Sequence, residues 1–568
     1  MNNQRTIHNS QFIIHNSYRK GIPLGQLLPL LLWLTGAFAL GLFYLAVSAW
    51  GFGFSGFPLD DAWIHQTYAR NLARSGQLAF VPGVPSAGST APLWSFLLSL
   101  GYLLGIPFQL WTYGLGLTLL GLTGWTAARL GARLFPEQPG VGKWAGLFCL
   151  FEWHLIWAAV SGMETILFVW LSVWLVERYL ADKRMANRRI GEYSPFVHSP
   201  FADFGLGLIG GLLILTRPEG LGLVGLIGLD MIVRGWREGK KLKGTDGTNG
   251  ENQSPSVPPS SSEFPQFLLF RVLWLTAGVL LLLVPYIAFH LWNTGLPFPN
   301  TFYAKQAEYR VILDKVPLWW RLWGNFSRPA ETVQGVFRVV FIGAQFLLVP
   351  GLAFAAWLTF KERRWGLLFI WGWWIGFLLL YALRLPVTYQ HGRYQIPAIV
   401  WIILLGVWGT GRLLQKVPRR NGVGRALGRA WVLSLALLAL AFTFIGAQAY
   451  GRDVRFIESE MVATAHWLAA QTPPNTLIAA HDIGAIGYFT ERPLIDLAGL
   501  ITPEIIPIIR DEPALLHFVT ARQADYLVTF PSWYPELTQS PRLTRLYSTQ
   551  APWSPQAGGD NMTVYRIK

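Results

Sequence analysis

The chain has 568 residues, and charged residues make up only 14% of them. Ordinary globular proteins contain about 25% charged residues. This composition, with a mean hydropathy of +0.35, therefore excludes a water-soluble protein. The 28 Trp, 36 Phe and 19 Tyr residues exclude a disordered chain, because disordered chains have far less apolar surface to bury. The single cysteine, Cys149, excludes an intramolecular disulfide and a metal site built from a cysteine cluster.

The formal net charge of +15 has two interpretations. A strongly basic chain can bind nucleic acid, but a multi-pass membrane protein also accumulates Lys and Arg in its inner loops. The apolar composition favours the second interpretation, so we predict no nucleic-acid partner.

The first apolar segment, Leu28 to Trp50, is uncharged and long enough to cross about 30 Å of hydrocarbon as a helix. A cleaved signal peptide has a shorter apolar core, so we predict that this span is retained. The further apolar runs are 92–106, 110–128, 144–160, 164–180, 202–216, 219–234, 267–289, 336–358, 365–383, 396–411 and 430–449.

Lys and Arg in the short loops predict the orientation of these spans. The amino-terminal segment 1–27 carries three basic residues and no acid, and so we predict that it lies in the cytoplasm. The segments predicted to lie outside are 51–91, 290–335, 384–395 and everything after about 450. An inside start and an outside end require an odd number of crossings. We therefore predict about eleven transmembrane helices in a domain covering 28–450, with either 92–106 or 110–128 not crossing.

Two segments differ in residue composition and hydrophobic pattern from the predicted spans. Residues 244–265 are rich in Gly, Ser and Pro, which predicts a disordered cytoplasmic loop without chemistry. The last segment, 451–568, predicts a small extracytoplasmic α/β domain. Its expected elements are a helix over 457–471, a glycine-broken strand over 476–489, a helix over 514–522, and strands at 525–530 and 562–567.

Two adjacent carboxylates, Asp60 and Asp61, follow the first span directly. Acids beside a membrane are scarce and need partners or water, so this pair is the leading candidate site. Alternatively, Asp60 serves only as the N-cap of the helix that begins at Asp61. His65 lies four residues after Asp61 and shares a helix face with it.

Charged residues also lie at the predicted outer ends of later spans. Glu164 is in the sequence SGMET, and Arg217 and Glu219 are in TRPEG. These side chains would be costly in lipid, so they face water, each other or a ligand. A structural Arg217–Glu219 or Arg217–Glu164 ion pair is as good an explanation as a functional role.

The later outer loops add Asn300, Tyr303 and Lys305, and then His391 and Arg393. Phosphate recognition needs such cations, because Arg offers a planar fork of donors and Lys a compact charge. Contact with lipid headgroups is the alternative. The motifs of ATP hydrolysis, dinucleotide binding and zinc proteolysis are absent from the sequence, which leaves carboxylates and outer cations to carry the chemistry.

These motifs occur in the same order in a known group. DDAWIHQTYARNLARSGQLAFVPG, GSTAPLW, SGMET, TRPEG, PNTFYAK, HGRYQIP, HDIGAIGYF and PLIDLAGL resemble the GT-C superfamily of polyprenyl-phosphate-sugar glycosyltransferases. Within it, the set is similar to bacterial proteins related to the terminal arabinofuranosyltransferase of mycobacterial cell walls and to protein-mannosyltransferase-like membrane proteins. The resemblance extends over about residues 55–500 and says little about the sugar.

The resemblance implies a GT-C fold, a lipid-linked donor and catalytic acids in the first external loop, where Asp60 and Asp61 stand. Either of the two would be the base, and Arg217, Lys305 and Arg393 would hold the departing phosphate. The remaining candidate substrate-binding residues are His65, Glu164, Glu219, Asn300, Tyr303 and His391. The resemblance also implies inversion at the anomeric carbon. We predict that no metal is required, although the two adjacent acids leave open the use of a divalent cation.

The expected activity is sugar transfer from a polyprenyl-phosphate donor to an acceptor hydroxyl on a cell-wall glycan, glycolipid or protein. We expect a multi-pass protein of the inner cell membrane, in contact with its lipids, that works on the outer face. A transporter or flippase of lipid-linked sugars is the alternative, and a non-catalytic assembly subunit is a third.

Overall fold

The fold is described from a computed structural model that covers residues 24–84, 88–189, 200–245, 264–328, 331–416 and 422–568. Residues 1–23 of the predicted amino-terminal segment and 246–263 of the predicted inner loop lie outside the described residues.

The first half of the chain is helical. Helix α1 continues into a π-helical turn at Val47–Phe52. The helices of this half are α1 Leu24–Ala46, α2 Asp60–Ser75, α3 Pro92–Leu103, α4 Phe108–Leu134, α5 Gly140–Phe151, α6 Trp153–Val160, α7 Thr165–Arg189, α8 Pro200–Thr216, α9 Gly220–Thr245 and α10 Phe264–Thr294.

The second half of the membrane region begins with the helices α11 and α12 and a short antiparallel hairpin. Its elements are α11 Asn300–Lys315, α12 Leu318–Trp323, β1 Asn325–Arg328, β2 Glu331–Gln334, α13 Val336–Val339, α14 Val349–Lys361, α15 Leu368–Arg384, α16 Tyr389–Gly392, α17 Ile399–Lys416 and α18 Gly422–Ile457. Helix α18 runs past residue 450 and carries the chain directly into the C-terminal domain.

Six helices of the described chain are long and apolar enough to cross a membrane, and α6 with α7, bent at 119°, would make a seventh. The chain is thus a multi-pass membrane protein, but the predicted number of about eleven spans is not confirmed. Helix α3 has 12 residues and α4 has 27. At 1.5 Å per residue, α3 reaches about 18 Å and α4 about 40 Å. Helix α3 is therefore too short to cross about 30 Å of hydrocarbon, but α4 is not among the six candidate spans either, so the structure does not choose between 92–106 and 110–128.

Close contacts between small residues join α8 to α10. A Cβ atom at Gly278 would lie 2.3 Å from the carbonyl oxygen of Phe204, so only glycine fits there. The same two helices share a bidentate ion pair in which Arg271 donates to both Asp203 oxygens, at 2.9 and 2.8 Å. Packing and charge together fix this helix pair.

The C-terminal domain has a five-stranded mixed sheet of order β4-β3-β5-β7-β6. Strand β3 is parallel to β4 and β5, whereas β7 is antiparallel to β5 and β6. Its elements are α19 Ala463–Gln471, β3 Ile478–Ala480, α20 Gly484–Thr490, β4 Leu494–Asp496, α21 Glu512–Ala521, β5 Tyr526–Thr529, α22 Pro535–Thr538, β6 Leu543–Ser548, α23 Trp553–Gln556 and β7 Thr563–Ile567.

One expectation for this domain is wrong. The predicted strand over 476–489 ends at Ala480, and its second half forms the helix α20. The glycines at 484 and 487 allow a close approach rather than interrupting a strand. A Cβ atom at Gly484 would lie 2.0 Å from the backbone oxygen of Asp60.

Asp60 attaches this domain to helix α2. Its carboxylate accepts hydrogen bonds from the backbone N–H groups of Gly484, at 2.7 Å, and Ala485, at 2.8 Å. Trp63, one turn along α2, packs against Tyr488 and Phe489 with ring centroids 5.0 and 4.8 Å apart.

Asp60 does not cap its own helix, because the N-cap residue of α2 is Leu59, which makes no side-chain hydrogen bond. It satisfies the orphan donors of α20 instead.

Burial of Asp60 raises the pKa of its carboxyl to about 7, although the two N–H donors pull in the opposite direction. The carboxylate form that these donors favour is therefore the main form above pH 7. We expect Asp60→Ala to loosen the contact between α20 and α2. At pH 8, the amides of residues 484 and 485 should exchange with deuterium about tenfold faster or more, since hydrogen bonds to charged groups contribute about 1.5–3 kcal/mol.

The control is Asp314→Ala, which removes an exposed carboxylate that pairs with Arg310 on its own helix. It should leave exchange at α20 unchanged. Unaltered exchange at residues 484 and 485 in Asp60→Ala would show that the attachment does not depend on this side chain.

Candidate functional site

A cavity of about 470 Å³ gathers residues from distant parts of the chain. Its walls come from the start of α2, the break between α6 and α7, the loop between α8 and α9, helix α11, and the segment from α15 to α17. The predicted site residues that line it are Asp61, His65, Glu164, Arg217, Glu219, Lys305 and Arg393.

Helix α2 positions Asp61 at the cavity. The two acids in the first turn suit the positive end of the helix, and Gly76 ends the helix in a left-handed conformation. An Asp61 oxygen lies 2.5 Å from the Arg393 guanidinium, and the Asp61 side chain remains 32% exposed. Burial alone would raise the pKa of this carboxyl, but the charges of Arg393 and Lys305 outweigh it and hold the pKa well below its usual range. Asp61 is therefore a carboxylate at neutral pH.

Tyr394 joins the cations of the cavity. Its hydroxyl oxygen accepts hydrogen bonds from Lys305 Nζ, at 2.6 Å, and from Arg393, at 2.9 Å. The Arg217 guanidinium carbon lies 5.2 Å from the Tyr394 ring centroid, within the range of a cation–π contact. The three cations predicted to hold a phosphate thus surround one aromatic side chain.

A left-handed backbone turn determines which side chains of this loop reach the cavity. Gln390, His391 and Gly392 all have positive φ angles, of 52°, 60° and 66°. The reversal directs Arg393 and Tyr394 to the cavity lining. It also leaves His391 elsewhere, with Nε2 2.7 Å from Asp453.

The opposite wall pairs acids with Arg217. Glu164 lies 3.6 Å from Arg217 and 3.3 Å from His65, and Glu219 lies 3.9 Å from Arg217. The Tyr381 hydroxyl accepts a bond from Arg217 at 3.0 Å and donates one to Glu219. Both ion pairs considered from the sequence are therefore present together, and both line the cavity.

The structure does not bring four predicted residues into the cavity lining, namely Asp60, Asn300, Tyr303 and His391. Asn300 is 2% exposed at the first position of α11, and the Tyr303 ring lies edge-on to Phe302. Their neighbour Thr301 does line the cavity, where its hydroxyl donates to the Gly88 oxygen at 2.8 Å.

The cavity lining also contains Tyr381, Tyr394, Thr301, Gln306 and Arg384, which were not among the predicted site residues. The sequence did contain a signal for two of them, because Tyr394 follows Arg393 and Gln306 follows Lys305. Tyr381 carries no such signal, since it lies inside an apolar span.

The cavity combines a carboxylate with clustered cations, which suits attack by a hydroxyl and departure of an anion. Among the described residues, no group of three or more His, Cys, Asp or Glu side chains is arranged to hold a metal ion. We therefore derive no step through a metal.

The C-terminal part of the chain, residues 447–565, matches a family described as a domain of unknown function, DUF8728. No curated protein matches the sequence.

Solved structures similar to the whole fold include proteins of two kinds. ArnT from Cupriavidus metallidurans, bound to undecaprenyl phosphate, has a TM-score of 0.51 and 14% identity over 96% of this chain and 98% of its own. The Archaeoglobus fulgidus oligosaccharyltransferase AglB, in complex with an inhibitory peptide and a dolichol-phosphate, has a TM-score of 0.56 and 12% identity over 90% and 70%. The same organism's oligosaccharyltransferase tethered to an acceptor peptide has a TM-score of 0.53 and 11% identity over 94% and 74%.

At these identities the likeness shows the fold alone. ArnT and the oligosaccharyltransferases are GT-C proteins, and the present chain aligns with them over nearly its full length. The resemblance inferred from the sequence motifs is thereby confirmed at the level of the fold: the chain has the GT-C architecture.

Proposed function

We propose that the protein transfers a sugar from a polyprenyl-phosphate donor to an acceptor hydroxyl, with Asp61 as the base. The observation that carries this proposal is the ion pair of Asp61 with Arg393 in a cavity that also holds Lys305 and Arg217. One wall thus presents a proton acceptor beside a cluster of phosphate ligands.

Arg393 has donors to spare for a phosphate. It is 5% exposed, and its Nε and Nη1 are buried without a hydrogen-bond partner among the described residues. A buried guanidinium donor without a partner is costly, and a phosphate oxygen would satisfy it. Lys305 and Arg217 would hold the other oxygens. The known neighbours bound to undecaprenyl phosphate and dolichol-phosphate support a donor of this class.

Transfer requires one bond to form and one to break. The acceptor oxygen attacks the anomeric carbon, Asp61 takes the hydroxyl proton, and the electron pair of the broken C–O bond leaves on the phosphate. Arg393, Lys305 and Arg217 stabilise the charge that grows there. Attack opposite the leaving group inverts the anomeric centre.

Donor binding would also activate the base. In the free protein Arg393 and Lys305 hold the pKa of Asp61 low against the effect of burial, and a carboxylate of low pKa is a weak base. A phosphate that neutralises these two cations removes their effect on Asp61. The carboxylate then becomes more basic only once the donor is in place.

The proposal includes an arrangement of the protein in the membrane. The prenyl tail lies in the bilayer while the head reaches the cavity, and the amino terminus lies in the cytoplasm. The C-terminal domain and the cavity lie on the outer face, where a glycan, lipid or protein hydroxyl accepts the sugar.

We expect Asp61→Asn to abolish transfer, with a fall in kcat of about 10³-fold or more, because the base is lost. Binding of the lipid-phosphate donor should persist, since the amide leaves Arg393 free for the phosphate. Purified variants assayed in detergent for the new glycosidic bond, with donor binding measured separately, give both quantities.

Asp314→Asn is the matched control, because Asp314 is exposed and remote from the cavity lining. Full turnover in Asp61→Asn contradicts the proposal. Donor binding without any glycosidic product in the unaltered protein, across a panel of acceptors, would instead favour a transporter of lipid-linked sugars.

The pH profile tests the role of Lys305. Its charge lowers the pKa of Asp61, so Lys305→Gln should raise that pKa. Loss of activity on the acid side reports protonation of the base, and so the acid limb of kcat/KM should move to higher pH by about 0.5–1 unit.

Lys315→Gln removes a charge from the exposed end of the same helix and should leave the profile in place. If the acid limb of kcat/KM does not move in Lys305→Gln, the titrating base is another group.

A further inference from the structure

A second, smaller cavity of about 140 Å³ lies where the C-terminal end of α2 meets the C-terminal end of α20. It belongs to the seam between the membrane region and the C-terminal domain. Its polar and charged lining residues are Arg70, Asn71, Arg74, Ser75, Glu491 and Arg492.

The lining has an excess of positive charge. The lining includes three arginines, Arg70, Arg74 and Arg492, and one acid, Glu491. A single oxygen of Glu491 lies 2.9 Å from Arg70 and 3.1 Å from Arg74. One acid therefore already bridges two of the three cations, and the cavity retains a surplus of two positive charges.

Two of these cations are built into the protein. Arg70 is 5% exposed and donates to the Tyr488 carbonyl oxygen at 2.6 Å. Arg492 is 6% exposed and is held by the carbonyl oxygens of Pro473, at 2.8 Å, and Ala469, at 3.1 Å. Groups fixed in this way lose little freedom when they bind an anion.

Arg70 also has an unused donor. Its Nε is buried and has no hydrogen-bond partner among the residues that the structure describes. A buried guanidinium N–H without an acceptor is costly, so an acceptor that reached this donor would relieve that cost.

Glu491, the exposed member of its ion pair with Arg70, shows what kind of group fits the cavity. Glu491 is 55% exposed, whereas Arg70 beneath it is buried. An oxyanion already accepts from two guanidinium groups here, and a tetrahedral phosphate offers more oxygens and more charge than one carboxylate. The volume suits a single phosphate group.

This site is separate from the cavity that holds Asp61. Arg74 lies 13 positions after Asp61 on the same straight helix, which corresponds to about 20 Å at 1.5 Å per residue. The two cavities share no lining residue.

We infer that the seam between α2 and α20 is a second phosphate-binding site, where Arg70, Arg74 and Arg492 bind a phosphate group from free phosphate or from an anionic phospholipid headgroup. Binding would join α2 to the C-terminal domain through an added anion, at the end of α2 opposite to Asp60.

Two substitutions with opposite effects test this site in the full-length purified protein. Arg74→Gln, at a position 63% exposed, removes one ligand and should weaken binding of inorganic phosphate about tenfold. Glu491→Gln removes the competing anion and should strengthen binding about threefold or more. Calorimetric titration with phosphate in detergent measures both.

The controls are Arg522→Gln and Glu504→Gln, which alter an ion pair of the same domain whose two side chains are each 53% exposed. Neither should change phosphate binding. Lys305→Gln should affect only a second class of sites in the large cavity. Phosphate binding that responds to Lys305→Gln but to neither Arg74→Gln nor Glu491→Gln would overturn the inference.

Nanodiscs identify the source of the phosphate. If the protein is more stable in phosphatidylglycerol nanodiscs than in phosphatidylcholine nanodiscs, and Arg74→Gln removes that difference, the bound phosphate belongs to a lipid headgroup. Phosphate binding in detergent without any preference for phosphatidylglycerol assigns free phosphate. Failure of both probes to bind at this seam would overturn the site itself, while the assay of sugar transfer in Asp61→Asn remains an independent test of the proposed function.

Discussion

The ion pair between Asp61 and Arg393 is the interaction on which the cavity depends. Charges removed from water are stable only when they are paired and hydrogen-bonded. The same rule explains the other wall, where Arg217 lies between Glu164 and Glu219, and it explains why Tyr394 lies among the cations. The cavity is a network of opposite charges in which two Arg393 donors have no partner among the described residues, and an anionic ligand that reached those donors would extend the network.

The adjacent positions of Asp60 and Asp61 give one helix two tasks. Neighbouring residues on an α-helix point about 100° apart, so two consecutive carboxylates face different surroundings. Asp60 accepts hydrogen bonds from the backbone of α20 and so contacts the C-terminal domain, while Asp61 pairs with Arg393 in the cavity. Asp61 is thus held by the same helix that carries the contact with the C-terminal domain.

Much of the site was predictable from the sequence, because ionisable residues at the ends of apolar spans must find partners or water. This rule selected Asp60, Asp61, Glu164, Arg217 and Glu219, and all of them except Asp60 line the cavity. The different positions of His391 and Arg393 were not predictable, because the left-handed turn that separates them depends on its packing. Nor were the separate roles of Asp60 and Asp61, since the position of α20 is a long-range property.

Parts of the fold escaped prediction for other reasons. The apolar spacing of residues 484–490 suits a strand as well as a helix, and only the tight contact with Asp60 decides between them. Apolar runs such as 144–160 contain two short helices rather than one long one, so counting runs does not count spans.

The attachment of α20 makes the membrane region and the C-terminal domain inseparable in practice. A chain truncated before α19 would expose the aromatic face of Trp63 and leave the Asp60 carboxylate without its two amide donors. Such a fragment would expose apolar and charged groups on the helix that also carries Asp61, so expression of the membrane half alone is a poor route to a stable or crystallisable protein.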